Sequence, residues 1–200
     1  DGTDEGGEHV TTAEELALIL RYCISISSKA QEFIEIAQSL EKAGADVVIM
    51  CTNTMHTVFD EIQAAINIPM IHIVDATAQA IKKAGINKVA LLGTTFTMTQ
   101  PFYKAKLKDV YGIDTVVPKP EQMDEIMRVI EEELTFNIIK DSSRDYFVNV
   151  INELKQQGAE GVILGCTEIQ MLIKQKDSPV PVFDSTELHA LAALDYVMGE

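Results

Sequence analysis

The sequence lacks features that mark membrane, secreted and nucleic-acid-binding proteins. Its 200 residues contain no apolar run near the ~20 residues of a membrane-spanning helix, and residues 1–10 lack the charged-then-apolar layout of a signal peptide. Basic residues are scarce, since 16 Lys and Arg stand against 31 Asp and Glu. Nucleic acids and anionic membranes bind basic surfaces, so we expect neither as a partner, and we expect a cytoplasmic protein.

Cysteine is also scarce, which argues against disulfide and metal chemistry. Cys23, Cys51 and Cys166 are odd in number, widely separated, and without CxxC or Cys/His ligand spacing. We therefore expect free thiols, no disulfide framework and no metal site. An apolar content of 46% is enough for a substantial core in one large domain or two small ones.

Apolar segments of strand length alternate with helical patterns along most of the chain. The predicted strands are Val47–Cys51, Met70–Val74, Val89–Leu92, Thr115–Val117, Val162–Leu164 and Val180–Phe183. Strands that are apolar on both faces and separated by helices predict an α/β protein with parallel sheets.

The sequence contains an internal repeat. Residues 44–52 align without a gap on residues 158–166, and residues 68–77 correspond to residues 178–186. Such a repeat predicts two similar α/β halves related by a pseudo-twofold axis. The carboxyl ends of their strands then face each other across a cleft, which is where open α/β sheets bind ligands.

The repeat also predicts the division into domains. We assign residues 1–86 to the first domain, completed by a C-terminal helix at residues 188–200, and residues 87–187 to the second. The second half begins with the strand Val89–Leu92, for which the first half has no counterpart. We therefore expect residues 1–28 to lack the first strand of the repeat.

Polar side chains follow the strand at equivalent positions of both halves. The two segments are Cys51-Thr52-Asn53-Thr54-Met55-His56 and Gly165-Cys166-Thr167-Glu168. A single cysteine at a strand end is most often a small buried hydrophobe. Packing does not require hydroxyl, amide and carboxylate groups at the ends of two equivalent strands, so the repeat favours a functional site.

With two further segments, these motifs resemble the aspartate/glutamate racemase family, part of the wider Asp/Glu/hydantoin racemase group. The four segments are Cys-Thr-Asn-Thr-Met-His (51–56), Leu-Gly-Thr-Thr-Phe-Thr-Met (92–98), Gly-Val-Ile-Leu-Gly-Cys-Thr-Glu-Ile (161–169) and Ser-Pro-Val-Pro-Val-Phe-Asp-Ser-Thr-Glu-Leu-His-Ala (178–190). The resemblance implies two flavodoxin-like domains, an active site in the cleft between them, and a homodimer. It also implies racemisation of aspartate or glutamate without pyridoxal phosphate or another cofactor.

The resemblance leaves two assignments for the residue opposite Cys166. In most members two cysteines flank the substrate α-carbon, and the first immediately precedes Asn-Thr. Here Thr52 holds that place, and Cys51 lies one residue earlier. Neighbouring strand residues point to opposite faces, so we expect Thr52 to line the cleft. The alternative is a local turn that brings Cys51 inward.

The predicted reaction needs groups that stabilise a carbanion, because the α-proton is weakly acidic and no cofactor delocalises the charge. Asn53, Thr54, Thr94 and Thr167 are candidate donors to the substrate carboxylate. Cys166 is the predicted base, and as a thiolate it needs a lowered pKa, which a helix N-terminus and the ammonium group of the ligand would supply. The Thr/Cys arrangement resembles that of L-specific relatives, which implies abstraction from L-aspartate or L-glutamate.

Further residues are candidates for assisting roles. The resemblance implies that Glu168 and His189 hold Cys166 in place or relay its proton. Without the resemblance, Glu168 is a carboxylate favoured at a helix N-terminus and His189 a histidine on a helix face. Lys140 and Arg144 are candidate cations for the side-chain carboxylate of the substrate, although such residues are usually solvated.

Two other functions stay open from the residues alone. One well-placed thiol, Cys166, also suits a decarboxylase or isomerase of the same group that works through an enolate-like intermediate. The absent first strand and second cysteine fit a protein that binds an acidic amino acid without turnover. Glu168 and the Thr-Asn-Thr-Met-His segment favour racemisation, and exchange of the α-proton distinguishes it from binding alone.

Overall fold

The computed structural model describes residues 29–199. Its strands are β1 (Val48–Ile49), β2 (Met70–Ile71), β3 (Lys88–Gly93), β4 (Asp114–Val116), β5 (Gly161–Gly165) and β6 (Val182–Asp184). Its helices are α1 (residues 29–42), α2 (Phe59–Ala64), α3 (Ile73–Lys83), α4 (Thr95–Thr99), α5 (Pro101–Tyr111), α6 (Pro120–Glu132), α7 (Asp141–Gln156), α8 (Ile169–Leu172) and α9 (Ser185–Met198), with short 3₁₀ helices at Thr54–Val58, Leu134–Phe136 and Gln175–Asp177. The predictions made for residues 1–28, including the absent first strand, lie outside the described residues.

The strands form two parallel sheets. The larger has the order β4-β3-β5-β6, and the smaller pairs β1 with β2. β3 and β5 run in register, so that Leu92 lies beside Leu164 and Gly93 beside Gly165 at their carboxyl ends. The predicted α/β class with parallel sheets is confirmed.

Alternating residues of the central strands fill a core on each face of the larger sheet. Ala90 and Leu92 pack with α6 and α7 on one face, whereas Val89 and Leu91 pack with α3 and α5 on the other. All four side chains are at most 1% exposed. This burial on both faces explains why the strands are apolar without alternation in the sequence.

β2 is shorter than the predicted strand Met70–Val74. The chain leaves the sheet at His72, whose Nδ1 accepts a hydrogen bond from the backbone N–H of Val74 at 3.1 Å. The His72 side chain thereby caps α3, which begins at Ile73. The apolar residues after His72 are therefore the buried face of a helix and not the end of a strand.

Residues of the predicted first domain contribute to two different cores, and the division after residue 86 stays a prediction. Val48 and Ile62 belong to a small core formed by the first part of the chain. Ile73 and Ile81 of α3, in contrast, share the core of the larger sheet. α9 packs on α3 and also contacts β2, β5 and β6, so it touches both halves.

Within residues 29–199, no helix is both long and apolar enough to cross a membrane. The same part of the chain contains no cluster of three or more His, Cys, Asp or Glu side chains arranged to hold a metal ion.

Candidate active site

One cavity brings together polar residues from both halves at the carboxyl ends of the strands. Its volume is about 220 Å³. The side of the first half is formed by the turn after β1, and the side of the second half by the segments that follow β3 and β5. The lining residues are Thr52, Asn53, Thr54, Thr94, Ile130, Thr135, Gly165, Cys166, Thr167 and Glu168. The structure thus places the predicted catalytic and substrate-binding residues, apart from His189 and the alternative Cys51, around one space.

A pair of glycines sets the close approach of β3 and β5 below this cavity. A Cβ atom on Gly93 would lie 3.0 Å from the carbonyl oxygen of Gly165, and one on Gly165 would lie 3.0 Å from Leu91 Cδ1. A side chain at either position would require its neighbours to shift by a few tenths of an ångström, directly beside Cys166, which follows Gly165. The Gly-Cys order of the motif therefore has a steric reason.

The thiol of Cys166 donates a hydrogen bond to Glu168 Oε2, with an Sγ to Oε2 distance of 2.9 Å. Burial, followed by the hydrogen bond and the negative charge of Glu168, raises the pKa of Cys166 to about 12. For Glu168, burial alone would raise the pKa, but the hydrogen bonds from Cys166 and Thr167 outweigh it and lower the pKa. At neutral pH the pair is a thiol beside a carboxylate.

This state differs from the thiolate expected from the sequence. The helix after Cys166 is α8, which has four residues and begins only at Ile169. A thiol that donates to a carboxylate is held in its protonated form. Formation of the thiolate therefore requires an acceptor for the thiol proton, for which Glu168 Oε2 is in place, and a positive charge brought by the ligand would favour it.

The amide of Asn53 is held across the two halves. Ser185 Oγ donates to the carbonyl oxygen of Leu164 at 2.7 Å, so it accepts the hydrogen bond from Asn53 Nδ2 at 3.2 Å. These two hydrogen bonds assign which end of the Asn53 amide is the nitrogen and which is the oxygen. Asn53 is 4% exposed, and its Oδ1 is a buried atom without a protein hydrogen-bond partner. A buried, unpaired acceptor at a cavity wall is suited to a ligand donor.

Thr52 lines the cavity, and Cys51 does not. Cys51 is exposed and lies along an apolar groove that Phe33 and Met50 also line. Thr52 borders both spaces, since the chain turns there with its backbone N–H bonded to the Met50 carbonyl at 2.8 Å. The ungapped alignment of the repeat, which pairs Thr52 with Cys166, therefore agrees with the residues that line the cavity.

Two residues that line the cavity, Thr135 and Ile130, lie outside the sequence motifs. Thr135 lies in the short 3₁₀ helix after α6, and its hydroxyl donates to the carbonyl oxygen of Ile130 at 2.8 Å. Ile130 belongs to the apolar face of α6. The sequence around them is typical of the end of an amphipathic helix and does not indicate a site. The fold brings this end of the helix to the cavity that Cys166 lines.

His189 does not line the cavity. It is 3% exposed, and its Nε2 donates to the carbonyl oxygen of Ile71 at 2.7 Å. Burial lowers the pKa of His189, with the backbone hydrogen bond acting in the opposite direction. The imidazole therefore ties α9 to β2, and the predicted proton-relay role of His189 stays a prediction.

The candidate cations for a substrate carboxylate also lie elsewhere. Lys140 Nζ forms an ion pair with Glu133 at 3.1 Å. Arg144 pairs with Asp141 and donates from Nε to the carbonyl oxygen of Leu172 at 3.1 Å. The described lining of the cavity contains no lysine or arginine and offers hydroxyl, amide and backbone groups instead.

Similar proteins carry the same fold. A Yersinia pestis protein classed with the Asp/Glu racemases has a TM-score of 0.84 and 42% identity over 97% of this chain and 87% of its own. An aspartate racemase homologue from Pyrococcus horikoshii OT3 has a TM-score of 0.79 and 42% identity over 87% of this chain and 76% of its own. The broad specificity amino-acid racemase RacX of Bacillus subtilis is 28% identical over 153 residues, or 76% of this chain, which spans 65% of RacX.

The family match extends over nearly the whole chain. Residues 6–193 match the Asp/Glu/hydantoin racemase family. This range includes the Cys166 cavity and both segments of the internal repeat. The chain therefore belongs to the Asp/Glu/hydantoin racemase family.

Proposed function

We propose that the protein is a cofactor-independent amino acid racemase that acts on aspartate and/or glutamate, with Cys166 and Thr52 on opposite faces of the α-carbon. The main support for the proposal is one cavity that is lined by Cys166 from one half and by Thr52 from the other. Family membership and the racemase relatives support the reaction class. The homodimer implied by the resemblance is part of the same proposal.

The cavity offers complementary groups for an amino acid. Asn53 Oδ1 is an unpaired acceptor, so it suits the α-ammonium group; its amide nitrogen is already bonded to Ser185. The amide nitrogen carries a second N–H, so the predicted donation from Asn53 to the carboxylate stays a prediction beside this role. Thr54, Thr94 and Thr167 line the same space. The hydroxyls of Thr54 and Thr94 suit the α-carboxylate, where negative charge develops as the proton leaves. The Thr167 hydroxyl already donates to Glu168, so its predicted donation to the carboxylate requires a change of partner.

Proton abstraction begins at the pair formed by Cys166 and Glu168. The thiol proton passes to Glu168 Oε2, which already accepts its hydrogen bond at 2.9 Å. The resulting thiolate takes the α-proton of the L-isomer and becomes a thiol again. The ammonium group of the substrate favours the thiolate by its charge, opposing the burial that raises the pKa of Cys166.

The second face belongs to Thr52. A hydroxyl is a much weaker acid and base than a thiol, so Thr52 or a water molecule that it orders returns a proton to the carbanion and yields the D-isomer. Glu168 then releases the proton that it received, and solvent restores the proton lost at the Thr52 face. The two faces differ in chemistry, so one isomer is favoured for abstraction, and the resemblance to L-specific relatives implies that it is the L-isomer.

The test is proton NMR in D₂O with L- and D-aspartate and L- and D-glutamate. The proposal expects loss of the α-proton signal of an L-isomer in the wild type and no loss with Cys166→Ser. Cys51→Ser is the matched control, because that thiol lies outside the cavity, and it should exchange at the wild-type rate. Binding without exchange by the wild type would contradict the proposal and favour a binding protein, whereas loss of carboxylate as CO₂ would indicate a decarboxylase.

A further inference from the structure

Behind the Thr52 turn lies a group of aromatic rings, formed by the buried His56 and His72 and the partly buried Phe59. His56 and His72 have ring centroids 4.7 Å apart, and Phe59 lies 4.5 Å from His72. The imidazoles of His56 and His72 are 4% and 8% exposed. The proposed reaction uses neither of them, so their burial beside the site needs a separate explanation.

Both ring nitrogens of His56 are bonded to backbone groups. The N–H of Ile73 donates to Nε2 at 3.1 Å, so this nitrogen carries no proton. A neutral imidazole must then carry its proton on Nδ1, which donates to the carbonyl oxygen of Thr52 at 2.7 Å. Burial, the first cause, lowers the pKa of His56 to about 4 and keeps the ring neutral at physiological pH.

The two bonds make His56 a bridge between the start of α3 and the turn that carries Thr52. The Thr52 carbonyl belongs to the peptide plane between Thr52 and Asn53, so the bond from Nδ1 fixes the exit of the chain from β1. Cys166 is held separately, by its position after β5 and by its hydrogen bond to Glu168. A change at His56 should therefore displace one side of the cavity.

We infer that His56 is a positioning residue for the Thr52 face of the reaction. The inference rests on the proposed racemase function and deepens it. It predicts that loss of the bond to the Thr52 carbonyl slows formation of the D-isomer while Cys166 continues to remove the proton of the L-isomer. Exchange without conversion is the signature of this role.

Two conservative variants separate the two bonds of His56. In His56→Asn, the amide nitrogen takes the place of Nδ1 and can still donate to Thr52, but the acceptor for Ile73 is lost. In His56→Gln, the amide oxygen takes the place of Nε2 and can accept from Ile73, but the donor to Thr52 is lost. His72→Asn is the control in the same ring cluster, since an Asn oxygen can still cap the N–H of Val74.

The readout is a ratio measured with L-aspartate or L-glutamate in D₂O, namely D-isomer formed per α-proton exchanged in the L-isomer. We expect His56→Gln to lower this ratio by about tenfold or more, because a displaced Thr52 keeps only part of the ~100-fold or larger contribution of general acid–base assistance, with exchange itself little changed. We expect His56→Asn and His72→Asn to keep the wild-type ratio. Circular dichroism establishes which variants are folded, and if His56→Gln does not fold, the ratio in His56→Asn alone carries the test.

Three results would overturn the inference. The first is a His56→Gln protein that is folded and loses exchange and conversion equally. The second is an unchanged ratio in that variant, and the third is a lowered ratio in His56→Asn. Absence of exchange in the wild type is a different outcome, because it defeats the proposed racemase function itself.

Discussion

Replacing Glu168 by Gln removes the carboxylate that accepts the Cys166 proton and leaves the size of the side chain almost unchanged. The structure predicts two effects of opposite direction. The thiol becomes more acidic, because both the hydrogen bond to a charged acceptor and the nearby negative charge raise its pKa. The proposed racemisation becomes slower, because the group proposed to receive the thiol proton is gone.

The size of the first effect follows from the 2.9 Å between Sγ and Oε2. Two unit charges at this distance repel by ~1.4 kcal/mol even at the dielectric constant of water, and by more inside a cavity. Removal of one charge therefore raises the thiolate fraction at a fixed pH below the pKa at least about tenfold. A less basic thiolate is also less nucleophilic, which leaves an increase in alkylation rate of about threefold or more.

The assay measures alkylation of Cys166 by iodoacetamide between pH 7 and 9, in a background where Cys23 and Cys51 are replaced by Ser. Initial rates of conversion of L-aspartate and L-glutamate are measured on the same proteins. For the second effect we expect a loss of about 100-fold or more, the usual contribution of a proton-transfer group. Glu153→Gln is the control, since that carboxylate lies at the surface and pairs with Lys119.

Two results would refute this reasoning. Slower or unchanged alkylation of Cys166 in Glu168→Gln would mean that the carboxylate does not hold the thiol proton. Faster racemisation in step with faster alkylation would mean that Glu168 only opposes thiolate formation and receives no proton during turnover.

Three further predictions concern the scaffold of the site. Ser185→Ala leaves the Asn53 amide without its buried partner, so we expect a loss of about 1–3 kcal/mol in the free energy of unfolding and a higher KM, measured by urea denaturation and initial rates. Gly161→Ala places a Cβ atom 2.7 Å from Phe183 Cε2, and urea denaturation should show a loss of about 1–3 kcal/mol; unchanged stability would contradict this packing. Burial is the first cause that lowers the pKa of His56, from 6.5 to about 4. The free energy of unfolding that this shift contributes above pH 6.5 is therefore lost as the pH falls toward 4, by up to about 3 kcal/mol. Unfolding experiments over this range should show a smaller loss for His56→Gln.

The larger sheet was predictable from the sequence because both faces of its central strands are buried. Runs such as Val89–Leu92 and Val162–Leu164 carry no polar residue, and they lie within β3 and β5. Their ends were harder to predict. The segment Met70–Val74 is apolar apart from His72. The His72 cap turns the chain into α3 after two strand residues, and apolar character alone does not distinguish a strand from a buried helix start.

The residues of the candidate site that follow equivalent strands could be predicted, because the internal repeat shows polar side chains at the same position of both halves. Thr52 and Cys166 occupy the same register of the two halves, and the fold brings both to one cavity. Thr135 could not be found this way, because it follows α6, which has no counterpart in the aligned segments. The protonated state of Cys166 was also not predictable, since it depends on the contact with Glu168 and on burial.

The opposite-face roles of Thr52 and Cys166 can be tested with Thr52→Val by following L-aspartate and L-glutamate in D₂O, with NMR for exchange and circular dichroism for conversion. We expect Thr52→Val still to exchange the α-proton of the L-isomer, because Cys166 and Glu168 are intact, but to form little D-isomer. Conversion at the wild-type rate, or loss of exchange as complete as that of Cys166→Ser, would contradict the assignment of Thr52 and Cys166 to opposite faces.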